Sequence, residues 1–104
     1  MKKDLLFSKD AREELATMCI KTKMIYKKAL VALEGENREV VKTVQELEEE
    51  IDHLQRVFEA NHVRRLESKI CNPFSGIMFV DILRNLERVG DHSTNIANAI
   101  ILGF

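Results

Sequence analysis

The chain has 104 residues, 45% of them hydrophobic, enough for one domain with one core and too apolar for a disordered segment. Sixteen Lys and Arg against 17 Asp and Glu leave a net charge of -1, without the basic excess that marks a nucleic-acid surface, so no nucleic-acid partner is expected. No apolar run approaches the ~20 residues that span a bilayer, and Met1-Lys2-Lys3-Asp4-Leu5-Leu6-Phe7 is too short and too charged for a signal peptide.

One proline and four glycines among many Leu, Ile, Val, Ala, Glu and Lys predict helices. The first is expected over 10–34. Asp10 with Glu13 fits a capping box, and Ser8 competes as N-cap. Leu15, Met18, Cys19, Thr22, Ile25, Tyr26, Ala29, Leu30 and Leu33 recur in steps of three and four, which predicts one apolar line. Cys19 reads as a small core residue, and two cysteines without a CxxC pair suggest a reduced, cytosolic chain. Glu34-Gly35 is a stop signal, with glycine available for a left-handed cap.

Asn37 can cap a second helix over 37–69, whose seam is Val40, Val44, Leu47, Ile51, Leu54 and Phe58. Its middle is acidic, with Glu46, Glu48, Glu49, Glu50 and Asp52, while the first helix carries Lys21, Lys23, Lys27 and Lys28. Salt bridges between the two are expected; an acidic patch for cations or a basic partner is the alternative. Glu59 and His62 form one ExxH pair, where a di-iron bundle needs two. Asn61-His62-Val63-Arg64-Arg65 reads as a solvated basic patch, and His53 and His92, each about 100° from its acidic neighbour, as surface groups or as supports behind a ligand.

Asn72 can cap a third helix over 73–101, with Pro73 in its first turn. One stripe is Phe79, Ile82, Leu86, Val89, Ile96 and Ile100, interrupted by Ser93. Beside it run Val80, Leu83, Glu87, Asp91, Thr94 and Asn98. Glu87, Asp91 and Asn95 recur every four residues and share a face at the edge of the buried side. Gly90 implies a close helix crossing or room beside the carboxylates.

Three long helices with short links predict an all-α antiparallel three-helix bundle, up-down-up, as a single domain over 1–104. If the second and third helices are antiparallel about residue 71, Asp52 and Asp91 stand at similar heights, with Glu48 and Glu87 a turn away. Four carboxylates held together need a counter-charge. Arg84 and Arg88 supply one answer; a hard or borderline cation such as iron, manganese, magnesium, calcium or zinc supplies another; a wet acidic groove is a third. Neither a nucleophile with its base nor a phosphate-cradling loop is present, so no enzyme activity is expected.

The stretch Asp81-Ile82-Leu83-Arg84-Asn85-Leu86-Glu87-Arg88-Val89-Gly90-Asp91-His92-Ser93-Thr94-Asn95-Ile96 resembles the last helix of a PhoU-type repeat, with its ExxxD core followed by Asn. Glu48-Glu49-Glu50-Ile51-Asp52 resembles the other acidic motif, and the resemblance runs from about Leu15 to Ile101. The wording Asp81 to His92 looks most like PhoU-like domains at the cytoplasmic C-terminus of sodium/phosphate cotransporter II-related proteins. The resemblance implies a non-enzymatic regulatory domain of sodium-dependent phosphate transport, a fragment of a larger transporter at the inner face of the cell membrane. A free-standing PhoU-like metal-binding or signalling protein of phosphate regulation is the alternative. It also implies iron, manganese or zinc on Glu48, Asp52, Glu87 and Asp91, with Asn95 beside them. The implied partners are a membrane-embedded phosphate transporter region and a homodimer or higher oligomer, since full PhoU proteins carry two such repeats.

Overall fold

The computed structural model describes residues 7–35, 37–68 and 73–102. Three helices, α1 (Lys9–Gly35), α2 (Arg38–Glu67) and α3 (Pro73–Leu102), pack pairwise on one another in a body of 52 × 24 × 16 Å. A 30-residue helix spans about 45 Å, so each helix runs nearly the whole length.

The helix starts follow capping chemistry. Ser8, rather than the Asp10–Glu13 box, caps α1, its Oγ accepting from the Ala11 N–H at 3.2 Å. Serine wins because it lies outside the helix, where its side chain can turn back onto the free N–H groups of the first turn. Asn37 Oδ1 accepts from the N–H groups of Glu39 and Val40 at 3.0 and 3.3 Å, capping α2 as its residue type predicts. Gly35 is the last residue of α1 and its φ is not left-handed; the Asn37 N–H donates to the Ala32 carbonyl at 3.1 Å and closes that end. The expected cap at Asn72, and Cys71, lie outside the described residues.

The core is built from Leu15, Met18, Ile25 and Ala29 of α1, Val41, Val44, Leu47 and Ile51 of α2, and Phe79, Leu83, Ala97 and Ile100 of α3. Each large side chain among these stabilises the fold by about 1.5–3 kcal/mol. The apolar line of α1 is narrower than its sequence pattern. Cys19, Tyr26, Leu30 and Leu33 are exposed, and the small Ala11 and Ala32 are buried instead. Helix rotation explains this, because residues one position beyond 15, 18, 22, 25 and 29 repeat with the same period but point about 100° away.

Phe79 joins the three elements at one end. It meets Phe7 edge to face at 6.4 Å, His62 stacks on it at 5.4 Å, and the Arg65 guanidinium lies 5.1 Å from its ring centre. Gly76 makes the room, since a Cβ there would stand 2.6 Å from His62 Cε1. Arg65 also pairs with Glu14 of α1 at 2.9 Å, and Asn61 Nδ2 donates to the same carboxylate at 2.8 Å. The segment expected as a solvated basic patch is therefore divided, with His62 and Arg65 buried and Val63 and Arg64 outside.

Gly90 sits at a helix crossing. A Cβ there would meet Ile51 at 3.6–3.8 Å, ordinary van der Waals contact, so the gap takes a methyl group. Gly90→Ala is expected to raise stability by up to about 1 kcal/mol, read as a higher urea midpoint with unchanged slope.

Candidate functional site

The register of α2 on α3 shows in a ladder along one edge of their interface. Gln45 donates to Asn98 at 3.1 Å, Asp52 lies among Glu87 and Asp91, and Glu59 faces Arg84 at 3.9 Å. The rungs 45–98, 52–91 and 59–84 are each equidistant from the midpoint between residues 71 and 72, and they follow one another every seven residues, about 10 Å of rise. The expected antiparallel alignment thus holds. The outer rungs are complementary, an amide on an amide and a carboxylate on a guanidinium. The middle rung sets acid against acid.

Carboxylate oxygens of Asp52, Glu87 and Asp91 all lie within 4.8 Å of one another, on half-buried side chains. Glu48, a turn before Asp52, stands beside Asp91 and the Thr94 hydroxyl, and Glu87 stands beside Asp91 and Asp52. Burial first, then Asp91 as hydrogen-bond acceptor and as charge, pushes both Glu48 and Glu87 up to about 7; Asp52 adds to both shifts, and Thr94 opposes that of Glu48. The structure thus brings Asp52, Glu87 and Asp91 together, with Glu48 beside Asp91.

The residues expected to neutralise them lie elsewhere. Arg84 faces Glu59, the Arg88 guanidinium donates to Asn85 at 3.4 Å, and Lys21 pairs with Glu50 at 2.8 Å in the expected bridge between α1 and α2. Among the described residues no ion pair reaches Glu48, Asp52, Glu87 or Asp91. Geometry is the reason. Arg84 lies a whole rung from Asp91, and Arg88 projects on the exposed side of α3. Asn95 is exposed and its helical position carries it off this edge, so it does not join the group. Glu59 is engaged by Gln55 and Arg84, and His62 by Phe79, so the ExxH pair forms no ligand set.

The group fits a cation by its donor set. Three carboxylate oxygens within 4.8 Å of one another are near the span at which a cation with oxygen ligands at about 2.0–2.6 Å can draw them in. Oxygen-only donors favour hard ions.

Two contributors carry no local mark of their role. Thr94 lies in the polar stripe of α3, but its neighbour Glu48 belongs to α2. Arg65 continues the spacing 44, 51, 58 by a further seven residues, which marks it as a seam position despite its charge.

These features define the class: an all-helical three-helix bundle with an acidic patch at the α2–α3 edge and no catalytic constellation among the described residues. The sequence profile of the PhoU domain matches residues 15–100, and the chain belongs to the PhoU domain family. PhoU domains are non-catalytic regulatory modules, and this chain is a non-enzymatic regulatory domain of that kind. Comparison with curated proteins and with solved structures gives no match. Among the described residues no helix is long and apolar enough to cross a membrane.

Proposed function

We propose that this PhoU domain serves phosphate regulation by binding, and that Glu48, Asp52, Glu87 and Asp91 take up a hard multivalent cation such as iron or manganese. The observation that carries the reading is the middle rung of the ladder, where oxygens of Asp52, Glu87 and Asp91 lie within 4.8 Å of one another, Glu48 stands beside them, and no ion pair among the described residues answers their charge. A cation replaces the protons of Glu48 and Glu87 and draws α2 and α3 together across the rung. Zinc fits less well, for want of His or Cys among the donors. Orthophosphate, an anion, meets this face only through a bound cation.

The finer reading, attachment to a sodium-dependent phosphate transporter on the cytoplasmic side of the membrane, is supported by the wording of Asp81 to His92. The signalling reading needs only the family and the acidic group, and is preferred. Oligomerisation stays part of the proposal, because donors from one bundle leave the outward positions of the ion to water or to a second subunit.

Calorimetric titration of the chelator-treated protein with Mn²⁺ tests this. Binding should release protons, seen as a buffer-dependent enthalpy, and should tighten as pH rises from 6 to 8, because Glu48 and Glu87 lose their protons near 7. Glu87→Gln should weaken it at least tenfold. Heats indifferent to pH and to this substitution would refute the cation reading and leave the acids as a solvated surface.

A further inference from the structure

On the other flank of α3, facing α1, Cys19, Ile20, Lys23, Tyr26, Leu86 and Val89 line an apolar furrow of about 480 Å³. Ile20 is 59%, Tyr26 48% and Val89 41% exposed, a run of apolar surface longer than isolated exposed residues account for. We propose that this furrow takes an amphipathic helix of a partner protein, with its apolar stripe in the furrow and acidic residues flanking that stripe.

Charge selects this occupant. Residues 17–33 hold four lysines and no acid. Lys21 is engaged by Glu50, whereas Lys23 and Lys27 are exposed on α1 without an ion pair among the described residues. A twofold contact with a second copy would bring Lys23 and Lys27 of both copies together, and that stretch offers no carboxylate to answer them. An anionic bilayer matches the charge as well, but the apolar lining is a seam contributed by both α1 and α3, the width of one helix, and bilayer adsorption is an outcome of the test. A helix seated there completes a four-helix arrangement, reading the furrow through residues spaced i, i+3, i+4 and i+7. The acidic group plays no part, so this inference stands or falls separately from cation binding.

The test uses the full chain and two 18-residue helical peptides with one leucine stripe, flanked by glutamates in one and by lysines in the other. Fluorescence anisotropy at low salt should show the glutamate peptide binding at least tenfold tighter. Lys23→Glu/Lys27→Glu, exposed positions that leave the core untouched, should reverse the preference, and Val89→Glu should weaken the glutamate peptide at least tenfold with the helical circular dichroism intact. Equal affinity for both peptides, or binding to neither, overturns the proposal. So does a dimer in sedimentation velocity that Val89→Glu dissociates, or adsorption to phosphatidylglycerol vesicles with no preference between peptides.

Discussion

Replacing Arg65 by Ala should lower stability by about 3–5 kcal/mol, the loss that follows when one partner of a buried ion pair is removed and the other stays. Both side chains are nearly buried, at 10% and 12% exposure, and 2.9 Å apart. The substitution leaves Glu14 with only the Asn61 amide and uncovers the face of Phe79. For a domain of this size the melting temperature should fall by more than about 10 °C. The charge-free pair Glu14→Gln/Arg65→Met should recover most of it, because both ions leave together and the methionine keeps an apolar stem on Phe79. Thermal melts of the three proteins decide this. If the single and the double variant melt together, the pair is not what holds this end of the bundle.

Glu87→Gln should have the opposite sign, stabilising the cation-free protein by about 1–2 kcal/mol at pH 8, after discounting for partial exposure. In the folded chain Glu48 and Glu87 titrate near 7 instead of 4.5. The folded state therefore holds protons that the unfolded chain releases, and the stability these groups lend is full below pH 4.5 and lost as pH rises through 7. Glutamine keeps the shape and still donates to Asp91 and Asp52, without a proton to lose. The cation-free wild type should melt several degrees lower at pH 8 than at pH 6.5, and the variant should flatten that slope. His62 works in the opposite sense. Burial, then Arg65, lowers its pKa below 6.5, so its own contribution falls as pH drops below 6.5 through the folded value, against the gain from Glu48 and Glu87 over the same range. Saturating Mn²⁺ should invert the alkaline slope of the wild type, because the ion takes the place of the protons. A cation-free wild type no less stable at pH 8 than at 6.5 would remove the electrostatic basis of the site.

The bundle and the acidic group were legible for one reason. Equal counting from the α2–α3 link places Asp52 opposite Asp91, and a helix pair with a short connection has little freedom to slip. What the sequence hid was helix rotation and long-range pairing. Apolar periodicity shows which faces of α1 can be buried, not which are covered, so Cys19, Tyr26, Leu30 and Leu33 entered the core line although they face outward. Arg65 looks solvated in sequence because its partner Glu14 lies 51 residues away on α1 and because its attraction to Phe79 leaves no local pattern. Arg84 and Arg88 were near Glu87 in sequence, but helix position decides reach, and it directs them to Glu59 and Asn85.

Anomalous diffraction from Mn²⁺-soaked crystals would place the ion. A peak is expected about 2.0–2.6 Å from oxygens of Asp52, Glu87 and Asp91, absent in Glu87→Gln crystals. Manganese bound only elsewhere, or a peak unchanged by the substitution, would contradict the cation reading.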